Sequence, residues 1–166
     1  SVENLSYDRL THRRTIWFVD RQFFVILDEA IGDAKGTLDL HYQFAPGELN
    51  VDDNSGRAMT CFKDVNVLVS ASADAELTLT EQDGWFAWSY GHRKERKAIR
   101  YSYNESAPAS ILSLVVPYRG TKTPEVLAIH PSDLVAGSER VEIEVNAFER
   151  SYTIGRDLAT GEGWCR

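Results

Sequence analysis

The chain has 166 residues, of which 43% are hydrophobic and 11% aromatic, and this composition fits a folded globular protein and excludes a disordered one. The formal net charge of −7 argues against a general nucleic-acid binder, because such a protein needs a basic face that displaces counterions. No apolar run approaches the roughly 20 residues that span a bilayer, so we expect no membrane insertion. The opening residues, SVENLSYDRL, lack the apolar stretch of a signal peptide and are typical of the middle of a longer protein or of a processed product.

Alternation of apolar and polar residues begins early in the chain and predicts β-strands with one buried face. Residues 11–44 are predicted to form two strands joined by a tight turn at Asp20-Arg21-Gln22, followed by a loop and a third strand. Within this segment, residues 23–27 form the continuous apolar run FFVIL, which predicts a central strand covered on both faces. Residues 38–44 then alternate strictly, as LDLHYQF.

Later segments repeat these two patterns. Alternation is found in residues 65–70, 76–80 and 141–145. Residues 111–116 form a second apolar run, which Pro117 is expected to end. Turn residues separate the predicted strands, Asp83-Gly84 among them.

The sum of these patterns predicts the fold class. No window sustains an amphipathic helix over three turns, and many half-apolar strands follow one another. Two packed antiparallel sheets are the simplest arrangement that buries them. We therefore expect an all-β fold, an antiparallel β-sandwich of two or more packed sheets with many short strands, in a single domain over residues 1–166.

Several short elements occur in a recognisable order within residues 11–44. They are His12-Arg13-Arg14 at the start of a strand, Phe18-Val19-Asp20 before the turn, residues 23–30 (FFVILDEA), Gly36, and Leu40-His41-Tyr42. In this order they resemble the C-terminal β-sandwich of heparinase II/III-type polysaccharide lyases, and the heparinase III type in particular. Residues 60–64 and 84–96 resemble the same family more loosely, and the resemblance covers residues 5–130.

The resemblance implies that the chain is one part of a larger enzyme. Members of this family join an N-terminal α/α toroid to antiparallel β-sheet layers and cleave acidic polysaccharides by β-elimination. Their catalytic Asn and Tyr lie in the toroid, and a further catalytic His and the metal ligands precede the stretch that matches this chain. The resemblance thus implies no catalytic residue, no metal ligand and no cofactor here, and an isolated chain without activity.

The same resemblance implies a substrate, a compartment and partners. Heparan sulfate is the first substrate expected, with alginate or another uronate polymer as the alternative, and the enzyme is expected in the periplasm or secreted. The partners would be an acidic polysaccharide and the toroid of the parent enzyme. Two other roles stay open, a non-catalytic carbohydrate-binding β-sandwich and an interaction module whose sign would be a large exposed apolar face.

The segment most suggestive of a binding site is residues 85–97, WFAWSYGHRKERK. From Arg93 to Arg100 it carries five basic residues and one acidic residue. Aromatic rings stack on sugar faces, and Arg or Lys pairs with sulfate or carboxylate, so the segment predicts contact with a sulfated polysaccharide. The alternatives are a Trp-rich core strand with a solvated basic hairpin end, and a patch that docks onto the toroid. The candidate substrate-binding residues are Trp88, Tyr90, His92, Arg93, Lys94 and Arg96.

A second basic cluster lies at the start of the resemblance. Strand alternation puts Arg13 on the opposite face from His12 and Arg14, so His12 and Arg14 are the candidates for a ligand contact. The alternative for His12 is a structural hydrogen bond to Asp8 or Asp28.

The remaining histidines and the cysteines give weaker signals. His41 and Asp39 share a strand face and form either half of a metal site or a solvated surface, while His130 is expected in a loop. Cys61 and Cys165 are either two unpaired thiols or a disulfide that staples the C-terminal tail.

Overall fold

The computed structural model describes residues 1–128 and 134–166, so His130 and the prediction that it occupies a loop lie outside the described residues. The described chain forms strands and no helix, and all strand pairs are antiparallel. No helix capable of crossing a membrane occurs in this described part. The predicted all-β fold class is confirmed.

Fourteen strands are described. In chain order they are β1 Val2–Tyr7, β2 Leu10–Val19, β3 Phe23–Gly32, β4 Leu38–Gln43, β5 Leu49–Asp52, β6 Arg57–Thr60, β7 Val65–Ala73, β8 Leu77–Ser89, β9 His92–Tyr103, β10 Ala109–Arg119, β11 Val126–Ala128, β12 Arg140–Ala147, β13 Arg150–Asp157 and β14 Glu162–Cys165. A seven-stranded sheet has the order β1-β2-β3-β10-β7-β6-β5. A four-stranded sheet has the order β11-β12-β13-β14, and a three-stranded sheet has the order β4-β9-β8.

The seven-stranded sheet is the middle of three layers, because it contributes to two separate cores. One core joins it to the four-stranded sheet and includes Phe23, Leu114 and Ile143. The other joins it to the three-stranded sheet and includes Val69 and Tyr101. Fully burying one such side chain stabilises the fold by about 1.5–3 kcal/mol. The sandwich therefore has three sheets, one more than the simplest two-sheet arrangement.

Strand β7 departs from the predicted alternation in two places. In β7 the expected pattern of a buried apolar face is inverted at its start, where Val65 is exposed and Asn66 is buried. Asn66 is accommodated because its side-chain amide bonds to the backbone of Phe62 and to the carbonyl of Gly120. Both Leu68 and Val69 are buried, as a strand between two layers requires.

Two predicted strand ends are wrong. Pro117 does not end β10, which pairs with β7 as far as Arg119. Proline is tolerated there because the pairing of β10 with β3 has already ended at Val115, so the missing N–H breaks no described ladder on that side. Asp83-Gly84 is not a turn either, since β8 runs through it, and the hairpin turns at Tyr90-Gly91 instead.

One polar cluster lies between the middle sheet and the four-stranded sheet. The Glu29 side chain is fully buried, and one of its oxygens lies 2.7 Å from a guanidinium nitrogen of Arg156. The same guanidinium donates to Thr15 Oγ1 and to the carbonyl oxygen of Ser138, while Gly137 N–H donates to Glu29. These bonds tie three segments that are distant in sequence.

Candidate functional site

The hairpin of β8 and β9 is built on a buried base and ends in an exposed tip. At the base, Leu79, Ile99 and Tyr101 are buried against the middle sheet, and the Tyr101 hydroxyl donates to the carbonyl oxygen of Gly56 at 2.9 Å. Burial raises the pKa of Tyr101 well above its usual value. The ladder continues from Leu77 opposite Tyr103 to pairs near the tip, so the tip is an extension of a fixed sheet.

The inner face of the hairpin is the side that carries Leu79 and Ile99, and beyond Ile99 it becomes charged. The amino group of Lys97 lies 2.8 Å from a carboxylate oxygen of Glu81 and 2.8 Å from one of Asp83. These two carboxylates raise the pKa of Lys97. The guanidinium of Arg93 lies over the ring of Trp85, 4.2 Å from its centroid, in cation–π geometry. Both inner-face cations therefore have partners already.

The outer face is the opposite side of the hairpin and is aromatic and basic. The rings of Phe86 and Trp88 stack with centroids 6.2 Å apart, and the ring of His92 lies 5.8 Å from that of Trp88. Lys94 pairs across the ladder with Phe86 and is exposed. Within the described residues no carboxylate lies within ion-pair distance of Lys94.

Arg96 lies on the same outer face, opposite a glycine. Its partner in the ladder is Gly84, and a side chain on Gly84 would be in van der Waals contact with the Arg96 side chain. The Arg96 Nε donates to the carbonyl oxygen of Trp85 at 2.9 Å, which uses one of the five guanidinium N–H groups. The described residues place no carboxylate within ion-pair distance of Arg96.

The candidate residues of the hairpin thus fall into three places. Trp88, His92, Lys94 and Arg96 share the outer face, Arg93 belongs to the inner face, and Tyr90 lies fully exposed in the turn. The alternative of a Trp-rich core strand is wrong, because Trp85 is 51% exposed and Trp88 is 58% exposed. The residues missed from the sequence are Phe86, Glu81 and Asp83, and the alternation upstream of Trp88 was the signal for Phe86.

His12 and Arg14 lie away from the hairpin, on the strand β2 of the middle sheet. His12 Nε2 lies 2.6 Å from Asp28 Oδ1, which confirms the alternative of a structural hydrogen bond. Arg14 donates to both oxygens of Asp28, at 2.7 and 3.1 Å, and this carboxylate raises the pKa of Arg14. Arg13 faces the other side and contacts Glu3, as alternation predicts.

A cavity of about 520 Å³ adjoins His12 and Arg14. Its walls come from β2, β3, β4 and the loop before β4, and they include Lys35 and Ala30. Nearby, burial raises the pKa of Tyr42 to about 12, against a smaller lowering by the Ser113 hydroxyl. Because Asp28 already bonds both His12 and Arg14, the cavity presents a neutralised cluster, and it shares no residue with the outer face.

The possible half metal site at His41 has other partners. His41 Nδ1 lies 3.0 Å from Gln82 Oε1, and Asp39 accepts a hydrogen bond from Ser102 and lies 3.8 Å from Arg100. In the described parts of the chain no group of three or more His, Cys, Asp or Glu side chains is placed to hold a metal ion. Cys61 and Cys165 are both exposed and free, so the tail is not stapled by a disulfide.

One apolar surface remains open on the middle sheet. The three-stranded sheet covers the half of this face that β10, β7 and β6 form, and within the described residues the apolar part of the β2–β3 half stays exposed. There Ile16 is 54% exposed and Phe18 is 56% exposed, and the ring of Phe18 stacks on that of Phe24 at 4.6 Å. A bare apolar sheet face of this kind is typical of a contact with another protein part.

Comparison with known proteins gives a consistent result. The family model described as Heparinase II/III-like, C-terminal, matches residues 1–144. A heparin-sulfate lyase of Pedobacter heparinus is 32% identical over 127 residues, which cover 74% of this chain and 19% of that protein. A heparin-sulfate lyase of Bacteroides thetaiotaomicron is 31% identical over 163 residues, which cover 94% of this chain and 23% of that protein.

Solved structures agree with the sequence relatives. A crystal structure of heparinase III superposes with a TM-score of 0.86 at 28% identity and covers 94% of this chain and 25% of its own. A second heparinase III structure gives a TM-score of 0.87 at 26% identity, with the same coverage of 94% and 25%. The chain spans about a quarter of the length of the proteins it matches.

Proposed function

Because the chain belongs to the heparinase II/III-like C-terminal family, we propose that it forms the C-terminal β-domain of a polysaccharide lyase that cleaves acidic glycosaminoglycans by β-elimination. The observation that carries this proposal is the family match over residues 1–144. Heparan sulfate is the leading substrate, since the relatives at 31% and 32% identity are named heparin-sulfate lyases.

The proposed role of this domain is support of the catalytic part and of the substrate groove. β-Elimination needs a base, an acid for the leaving oxygen and neutralisation of the uronate carboxylate. Here His12 and Arg14 are both bonded to Asp28, and the Tyr42 hydroxyl is buried with a raised pKa. We therefore assign the reacting groups to the toroid of the parent enzyme.

The open apolar face of β2 and β3 supports a contact with the rest of the parent. The relatives are about four times as long as the stretch that this chain matches, so the parent supplies ample surface to cover Ile16 and Phe18. Covering such side chains stabilises an interface by roughly 25 cal/mol per Å² of apolar area. We assign this face to the toroid-containing part of the parent.

A second candidate function is non-catalytic carbohydrate binding. The aromatic and basic tip of the β8–β9 hairpin favours it, because exposed rings and unpaired cations suit an acidic polysaccharide. The two functions are compatible, since a domain that supports a lyase groove also holds its polymer.

Release of unsaturated uronate, measured by ultraviolet absorbance, tests the lyase proposal. The full-length parent should release it from heparan sulfate, and the isolated 166-residue chain should release none above a heat-treated control. Adding the chain to a parent truncated before it should restore activity. Product from alginate alone would contradict the substrate, and product from the isolated chain would contradict the supporting role.

We also propose that the parent acts in the periplasm or is secreted, and that this domain supplies no metal ligand. Cell fractionation of the native host tests the first point, and enzyme confined to the cytoplasm would contradict it. Metal analysis of the purified chain tests the second, and a stoichiometric bound metal would contradict it.

A further inference from the structure

We infer that an anionic saccharide lies along the outer face of β9, and that this face alone of the hairpin recognises it. The inference rests on the proposed function and narrows it from a basic segment to one side of one strand. Its basis is the division of the hairpin cations between two faces with different partners.

The two cations of the inner face, Lys97 and Arg93, already contact other side chains. Lys97 contacts two carboxylates at 2.8 Å each, so an incoming sulfate would have to displace Glu81 or Asp83. The guanidinium of Arg93 lies over the Trp85 ring, 4.2 Å from its centroid, and shares its face with these carboxylates. The three acidic residues on this face, Glu81, Asp83 and Glu95, would also repel a polyanion.

The outer face presents cations at regular spacing. Residues i and i+2 on one side of a strand lie about 6.6 Å apart, and Lys94 and Arg96 are such a pair. Arg100 lies on the same side beyond Ala98, next to His41 on the neighbouring strand, but its guanidinium is 3.8 Å from Asp39. The part of the row from His92 to Arg96, which has no carboxylate partner in the described residues, extends roughly 13 Å. Groups lined up along one strand match an extended chain better than a compact ligand.

The aromatic residues lie beside the tip end of this row. Phe86 and Trp88 stack with each other on β8, and Trp88 reaches His92 at the end of β9. Next to Phe86 on β8, Gly84 has no side chain, and the side chain of Arg96 from the neighbouring strand lies over it. A sugar ring on Trp88 would therefore place its sulfate or carboxylate groups near Lys94, because the rings and this cation share one face.

Binding of the 166-residue chain to immobilised heparan sulfate tests this inference through neighbouring residues on opposite faces. Lys94→Gln and Arg93→Gln each remove one exposed charge from the same strand. We expect Lys94→Gln to weaken binding about three-fold, as for an exposed ion pair, and Lys94→Gln with Arg96→Gln about ten-fold. Arg93→Gln should leave binding unchanged. Trp88→Ala should weaken binding, and Trp85→Ala should not.

Equal losses for Lys94→Gln and Arg93→Gln would overturn the inference and indicate a general charge effect. Dextran sulfate should compete and neutral dextran should not, and equal competition by both would also overturn it. Absence of binding by the unmodified chain would overturn the inference as well. The lyase proposal would not be affected by that result, because it is tested separately by product release from the full-length parent. Circular dichroism of each variant checks that the fold is retained.

Discussion

Replacing Arg156 by Met should destabilise the protein strongly, because it leaves the Glu29 carboxylate buried without its main partner. Both side chains lie between the middle sheet and the four-stranded sheet, with Glu29 fully buried and Arg156 3% exposed. Their 2.7 Å contact is accompanied by donation from Arg156 to the Ser138 carbonyl oxygen at 3.0 Å. Methionine fills much of the arginine volume, so the change removes charge and hydrogen bonds more than packing.

The expected cost is about 3–5 kcal/mol in the free energy of unfolding, the range for removing one partner of a buried ion pair. Some of this loss is offset by Arg13, whose guanidinium lies 3.9 Å from Glu29. For a domain of this size, the same cost lowers the melting temperature by roughly 6–20 °C. The double change Arg156→Met with Glu29→Met should recover much of it, because an apolar replacement leaves no unpaired buried charge.

Urea denaturation measures the effect as a shift of the midpoint at unchanged slope. A matched control is Arg140→Met, since Arg140 is also an arginine of the four-stranded sheet, but its side chain is 70% exposed and 3.8 Å from Asp157. The control should cost less than about 1 kcal/mol. If Arg156→Met costs no more than the control, the reasoning from burial is refuted. A single transition would also support one domain over residues 1–166, which stays a prediction.

Four further predictions follow from other parts of the molecule. Folding raises the pKa of Tyr42 from 10.0 to about 12, so the contribution of this group to stability is complete below pH 10 and is lost as the pH rises through about 12. Tyr42→Phe should therefore reduce the loss of stability at alkaline pH, and an unchanged pH dependence of unfolding would contradict this prediction. Asn66→Ala should lower the free energy of unfolding by about 3 kcal/mol in urea denaturation, because four hydrogen bonds of the buried amide to Thr60, Phe62 and Gly120 are lost. A change near zero would mean that water replaces these hydrogen bonds. Gly155→Ala should lower the free energy of unfolding by about 1–3 kcal/mol and alter Trp fluorescence, since the added methyl would lie 2.6 Å from the Val141 carbonyl oxygen and against the Trp164 ring. Unaltered fluorescence would contradict this clash. The double variant Ile16→Ser with Phe18→Ser should keep the stability of the isolated chain but weaken its association with the truncated parent, measured by calorimetry. The control Val65→Ser, at another exposed apolar residue, should not weaken this association.

Much of the fold could be predicted because alternation is a local property. Residues 141–145 alternate in sequence, and Val141, Ile143 and Val145 are all buried in β12. The third layer could not be predicted, because it depends on which strands pair across long separations. The burial of Asn66 has the same cause, since its partner Gly120 is 54 residues away.

The site was predicted as a segment but not as a surface. The aromatic and basic residue types were recognised, whereas their division into two faces requires the register of the hairpin. That register depends on the turn at Tyr90-Gly91, where Gly91 has the positive φ of 77° that glycine adopts without strain, and on a one-residue shift of the pairing between Phe86 and Ser89. Because Asp83-Gly84 was predicted to be a turn, the pairing of Asp83 with Lys97 within the β8–β9 hairpin was not predicted.

The register also changes what the local charge means. In sequence, five basic residues and one acidic residue from Arg93 to Arg100 read as one strongly positive segment. In the folded hairpin, Lys97 contacts Glu81 and Asp83, and Arg93 lies over Trp85 on the side that also carries Glu95, so the inner face has no excess of positive charge. Exposed ion pairs such as those of Lys97 add little stability to the tip. The positions of Lys94 and Arg96 are therefore fixed mainly by the buried base of the hairpin at Tyr101. Recognition of a polyanion should therefore depend on which face a cation occupies, more than on how many cations the segment contains.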